Sequence, residues 1–124
     1  EIRAVYEALT TAYPEKRIIV AFQPHRNSRT AELYNEFIEV LSEIDTVLIT
    51  EIYSVREPEI PGISGEKLAA DVAALGGKQS IYVGSIDNIR TKYAAIAKDG
   101  DLIVMMGAGS IGGIAMNFYK GGAL

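Results

Sequence analysis

The segment FQPHRNSRT, residues 22–30, gathers groups that a small anionic ligand would meet: His25, Arg26 and Arg29, the first being the only histidine of the chain. A guanidinium offers a planar fork of donors that matches a carboxylate or a phosphate in two parallel hydrogen bonds. An imidazole beside it donates or accepts at one edge. Pro24 fixes its own φ and biases Gln23 towards extended backbone, so a strand running into this segment ends here. Arg26 and Arg29 are three residues apart, a spacing that lets them share one face at the start of a helix. The positive end of the helix dipole adds to them there, which disfavours arginine unless an anion is present. Two readings fit these residues alone: a site for an anionic group, or a solvated basic loop in which His25 is hydrogen-bonded to a neighbour.

A second candidate is GAGSIG, residues 107–112, which fits G-x-G-x-x-G between a strand and a helix. Such a turn can hold a pyrophosphate against backbone amides. Its position argues against a dinucleotide, because only 12 residues follow Gly112. The acid that reads a ribose stands about 20 residues on. The turn therefore reads as a tight connection with close helix–strand packing, able to present amides to an anion. Glu51, Arg56, Glu57 and Glu59 follow another apolar run and either line the same crevice or solvate a surface loop, the second being the simpler. Asp87 and Asn88 are most economically helix-capping residues. Without cysteine there is no disulfide and no thiolate ligand, and one histidine cannot build a multi-histidine metal site. No Ser/His/Asp arrangement is readable. No G-x-x-x-x-G-K-[ST] loop occurs either, so any main cradle for ATP phosphates lies outside these residues.

These segments need elements to position them. Ile2, Val5, Tyr6, Leu9 and Tyr13 recur at helical spacing, and Pro14 ends that helix. Residues 17–22, apolar without interruption from Ile18 on, have the pattern of a strand buried on both faces. Thr30 is placed to cap a second helix, whose buried stripe is Leu33, Phe37, Val40, Leu41 and Ile44. Further strands are expected at 46–50, 80–83 and 102–106. Leu68, Val72 and Leu75 mark a third helix closed by Gly76 and Gly77. Ile86, Ile89, Tyr93 and Ile96 mark the next, and residues 111–119 a closing one. Residues 54–64, with Pro58, Pro61 and Gly62, form a loop. The alternation predicts an α/β fold: a Rossmann-like open, mostly parallel sheet with helices on both faces. In such sheets ligands bind outside the carboxyl ends of the strands. QPHRNSRT, EIYSVRE, GSIDN and GAGSIG all follow strands, so one edge collects them.

Composition limits the function classes. A chain of 124 residues, 48% hydrophobic and 23% charged, supports one domain with its own core. Twelve basic against 16 acidic residues give a net charge of −4. A general nucleic-acid or anionic-membrane binder would carry a basic excess instead. No apolar run approaches the roughly 20 residues that span a bilayer. A cytoplasmic location fits the absence of cysteine. The sequence opens on Glu1 already inside a helical pattern, as expected of a piece of a longer protein.

IIVAFQPHRNSRT, then ELYNEFIEVLSEIDTVLITEIYSVREPEIPGISGEKLA, then GDLIVMMGAGSIGGIA occur in the order and at the separations of one known family. Over nearly its whole length the chain resembles the C-terminal domain of the Mur ligases. FQPHR..RT and IPG are the specific part of the resemblance. The glycine turn is shared more loosely, with Ser110 where the family usually has an acid or an amide. The family's aspartate–tyrosine–histidine motif would precede Glu1. Within the family, QPHR is most similar to the ligases that join L-alanine to UDP-N-acetylmuramate, and those that recycle a murein tripeptide are the nearest alternative.

The resemblance implies a three-domain cytoplasmic bacterial enzyme of peptidoglycan synthesis, of which residues 1–124 are the C-terminal domain. The N-terminal domain holds the UDP-sugar, and the central domain carries the ATP loop and most Mg²⁺ ligands. ATP phosphorylates the muramoyl carboxylate, the alanine amine attacks the acyl phosphate, and an amide forms. The same resemblance implies that His25, Arg26 and Arg29 grip the alanine carboxylate and face the phosphates on closure. Gly107, Gly109 and Ser110 would then face the nucleotide, and NAD has no place in the turn. Alone, the chain is expected to be inactive. A reading from another class is a non-catalytic Rossmann-like domain that uses the basic loop for a phosphorylated small molecule. Neither reading calls for nucleic acid or a membrane.

Overall fold

A computed structural model describes residues 2–107 and Ile111. Strand β1, Ile18–Phe22, is buried at all five positions, which is why its sequence lacks the alternation of a half-exposed strand. On one side it pairs with β2, Thr46–Thr50, which is buried throughout. On the other it pairs with β4, Leu102–Met106, while β3, Gln79–Gly84, lies outside β2. Every pair is parallel and the order is β3-β2-β1-β4. The chain thus grows outward from β1 to β3, then crosses back to place β4 on the free side of β1. All four carboxyl ends share one edge, as the sequence implies.

Side chains alternate along β1 and divide the core in two. Ile18, Val20 and Phe22, with Val47 and Ile49 of β2, pack against helices α3, Tyr34–Ser42, and α4, Gly65–Leu75. Helix α1, Ile2–Ala12, completes this layer through Ile2, Tyr6 and Leu9. Ile19, Ala21, Leu48 and Val83 face the other way, against Ile89 and Tyr93 of α5, Ile89–Ile96, and against Ile111. Helices therefore cover both faces of a parallel sheet.

The structure departs from the sequence reading at three helix ends. Thr30 caps nothing: a short helix α2 already runs over Asn27–Glu32, and the buried Thr30 hydroxyl donates to the Arg26 carbonyl at 2.8 Å. The backbone then bends at Leu33 before α3 begins. Leu75 is exposed at the end of α4, beside the left-handed Gly76 that closes the helix. Ahead of α5, Ser85 rather than Asp87 or Asn88 supplies the cap, accepting from the Asp87 amide at 3.2 Å. The Asn88 side chain instead donates to the Val83 carbonyl at 2.8 Å. The closing helix expected at 111–119 lies outside the described residues beyond Ile111.

At the opposite edge, Arg17 clamps the amino end of β1 to that of β4. Its Nη2 donates to Asp101 Oδ2 at 2.6 Å and to the Ile96 carbonyl at 2.6 Å. The Asp101 side chain is only 5% exposed, and the Arg17 guanidinium holds its carboxyl below the ordinary value. Arg17→Met is expected to cost about 1.5–3 kcal/mol, the range for hydrogen bonds to charged groups, read from urea unfolding at neutral pH. A depressed carboxylate pKa stabilises fully above the unfolded value of about 3.9. That contribution is lost as the pH falls through the lower folded value. The difference between wild type and Arg17→Met should therefore shrink in acid.

Candidate functional site

Because the strand order reverses at β1, the crevice between the carboxyl ends of β1 and β4 is bridged by no crossover, the usual ligand position in such sheets. A cleft of about 670 Å³ opens there. Gln23 and His25 reach it from the end of β1, Met106 and Gly107 from β4, and Arg29 from α2. Phe37 and Val40 of α3 and Ile2 and Val5 of α1 give it an apolar wall.

His25 and Arg29 thus come together in the cleft. The ladder between β1 and β2 resumes for one rung beyond the strands, pairing His25 with Tyr53. The two rings stack with centroids 5.7 Å apart. Tyr53 N–H donates to the Pro24 carbonyl at 2.9 Å, and Arg26 N–H to the Tyr53 carbonyl at 2.7 Å. Arg29 is exposed in the first turn of α2, and among the described residues no ion pair or hydrogen bond engages its guanidinium. Tyr53 escaped the sequence reading because its contact depends on strand order.

Arg26 does not share the face of Arg29. It adopts φ 68° and ψ 135° just before α2, so its side chain leaves the helix in another direction and is absent from the cleft lining. Its Nε and Nη2 donate to Glu57 Oε2 at 3.2 and 3.0 Å. The same carboxylate accepts from the Ser28 amide at 2.9 Å and from the Ser28 hydroxyl at 2.6 Å. The Ser28 hydroxyl, its amide and Arg26, in that order, push the Glu57 carboxyl down to about 2. The anion that the helix end calls for is therefore internal. Glu57 does not merely solvate its loop; Glu51, Arg56 and Glu59 are exposed, and Glu51 and Arg56 also line a smaller cleft of about 330 Å³ with Gln23 and Tyr53.

Two segments are joined by these bonds, 24–28 and 53–58. Buried Asn27 adds to them through Nδ2, which donates to the Pro58 carbonyl at 2.9 Å. Arg26, Val55 and Arg56 have φ of 68°, 54° and 66°, the positive-φ residues other than glycine among those described. Such conformations cost about 1–3 kcal/mol each and persist only where surrounding contacts over-determine them.

The glycine turn is tied to β1 by Gln23. Its buried Oε1 accepts from the Ile111 amide at 3.0 Å. A Cβ on Gly107 would lie 2.9 Å from both the Gln23 carbonyl oxygen and Ile111 Cγ2. The close approach at Gly107 is made by Gln23 and Ile111 of the chain itself. Gly109 and Ser110 lie outside the described residues. The sequence signal for Gln23 is a polar residue directly after a wholly apolar strand, and the structure buries it to 3% exposure. Among the described residues no three carboxylate or imidazole groups converge as a metal site, so these residues do not fit a Mg²⁺ cage. Among the same residues no helix is long and apolar enough to cross a membrane.

The open parallel sheet, with helices on both faces and a cleft at its switch point lined by Arg29 and His25, defines an α/β domain of the Rossmann-like class. The chain belongs to the Mur ligase family: the family described as "Mur ligase, glutamate ligase domain" matches residues 1–109. It is 43% identical over 114 residues to the UDP-N-acetylmuramate–L-alanine ligase of Halorhodospira halophila, covering 92% of this chain and 24% of that protein. With the enzyme of the same name from Trichlorobacter lovleyi it shares 41% over 111 residues, 90% of this chain and 24% of the relative. The chain thus spans about a quarter of the length of these curated relatives. The crystal structure of the UDP-N-acetylmuramate–alanine ligase from Thermotoga maritima has the same fold, with a TM-score of 0.67 at 22% identity over 96% of this chain and 23% of that one.

Proposed function

We propose that residues 1–124 are the C-terminal domain of a longer, cytoplasmic ligase that joins L-alanine to UDP-N-acetylmuramate with ATP, and that this domain holds the amino acid. The relatives' names support the reaction. The observation that carries the assignment is the exposed Arg29 guanidinium, unengaged among the described residues, beside His25 in the switch-point cleft.

The alanine carboxylate takes the fork of Arg29, with His25 hydrogen-bonding at its flank and the methyl group turned towards the apolar wall. Fixed in this way, the amine points out of the cleft towards the activated carboxyl group brought by the rest of the protein. The gain is one of proximity and orientation. Arg29 also offsets negative charge gathered there. The turn containing Gly107, Gly109 and Ser110 is the part proposed to face the nucleotide on closure. ATP supplies the activation of the muramoyl carboxylate, and Mg²⁺ is held outside these residues.

Phosphate release from ATP tests the proposal. The full-length protein should release phosphate only when UDP-N-acetylmuramate and L-alanine are both present. The 124-residue chain should melt cooperatively and release none. Alanine-independent turnover by the full-length protein, or turnover by the pure chain, would contradict it.

A further inference from the structure

We propose that Glu57 is a positioning residue for the amino-acid grip, holding His25 and Arg29 in the cleft through Arg26 and Ser28; this rests on the reading of the cleft given above. Among the described residues the Glu57 side chain makes no hydrogen bond or ion pair with His25 or Arg29. It binds the two groups that bracket the start of α2, the Arg26 guanidinium and the amide and hydroxyl of Ser28.

The direction in which α2 leaves β1 is set at Arg26, whose positive φ a residue with a Cβ adopts only when held. With the carboxylate gone, Arg26 relaxes towards negative φ and α2 turns about that point. Arg29, in the first turn of α2, swings with it. His25 is held on both sides by Tyr53, through Pro24 and through the Arg26 amide, so its ring follows the same movement. Two further contacts, from Asn27 to the carbonyls of Glu57 and Pro58, fasten the backbone of the same loop to the start of α2, and the Glu57 carboxylate reaches back to the Arg26 guanidinium and to Ser28. An ionised carboxylate is needed, because only it accepts from Ser28 twice while balancing a guanidinium. The Ser28 hydroxyl and amide and the Arg26 guanidinium hold the Glu57 carboxyl well below the usual carboxylate range, so this latch is charged at neutral pH.

The test uses Glu57→Ala and Glu57→Gln in the full-length protein, reading kcat, KM for L-alanine, KM for ATP and the thermal midpoint. Glu57→Ala should raise the alanine KM by about tenfold or more while the ATP KM stays within about twofold. Glu57→Gln keeps an acceptor for Ser28 and loses the charge facing Arg26, so it should fall between. A merely structural part would lower the thermal midpoint and the amount of active enzyme, hence kcat, and leave the alanine KM in place. Should Glu57→Ala not fold, Glu57→Gln carries the same comparison. An unchanged alanine KM in an alanine-dependent wild type would overturn the positioning role and leave the cleft reading standing. If the wild type shows no alanine-dependent turnover, the cleft reading itself fails and the positioning role with it.

Discussion

Arg29→Ala in the full-length protein should lower kcat/KM for L-alanine by about 10- to 150-fold, the loss of one charge-assisted interaction of roughly 1.5–3 kcal/mol. Folding should hardly notice. Arg29 is exposed and, among the described residues, makes no ion pair. Even a paired surface charge contributes only about 0–1 kcal/mol. Arg29→Lys should recover part of the activity, since it keeps the charge and loses the planar fork. Arg26→Ala differs in kind, because Arg26 is bonded to Glu57 and its loss loosens the joint between two loops. Steady-state kinetics and melting curves of the three variants separate these cases. Near-wild-type kinetics for Arg29→Ala would return the segment to a solvated basic loop. A large fall in its melting temperature would assign Arg29 to structure.

The largest stability effect is expected from Gly65→Ala, at about 3 kcal/mol or more. Gly65 is the buried first residue of α4, behind the Ser64 cap. A Cβ there would fall on the Thr50 carbonyl oxygen, and 3.0 Å from the Thr50 carbonyl carbon. Both atoms are backbone at the end of a central strand, so no side-chain rotation relieves the overlap. Either α4 moves away or β2 bends. Alanine's better helix propensity recovers at most about 1 kcal/mol. For a domain of this size the melting temperature should fall by about 10 °C or more, with urea unfolding giving the same order of loss. The loop that carries Glu57 ends at this point, so the alanine KM should rise as well. A variant melting within about 2 °C of wild type would mean that helix and strand do not approach so closely.

What was legible in the sequence follows from which interactions are local. The run at 17–22 announced a central strand because, from Ile18 on, both faces are buried and no polar residue interrupts it, and the run at 46–50, buried throughout, was legible as a strand. β3 is longer than its apolar centre because an edge strand tolerates Gln79 and Ser80 at its start. The stripe of α3 was readable, and the start of α2 was not. Local capping logic pointed to Thr30, whereas the group at the Ser28 amide is Glu57, 29 residues away in sequence. The same distant carboxylate explains Arg26: spacing alone puts it beside Arg29, and only the folded chain shows its positive φ and its partner. Helix-end anions signal a ligand in sequence and can be internal in structure. Arg29 and His25 are the pair that the fold brings to the cleft.

The central claim is that Arg29 holds the carboxylate of the incoming amino acid. The most direct measurement is the ratio of kcat/KM for L-alanine to that for L-alaninamide, in wild type and in Arg29→Ala. The amide keeps the methyl group and the reacting amine and lacks the anion, and differences in amine basicity cancel between the two proteins. The claim predicts a strong wild-type preference for L-alanine that falls by about 10- to 150-fold in the variant. An equal loss with both acceptors, leaving the ratio unchanged, would contradict it.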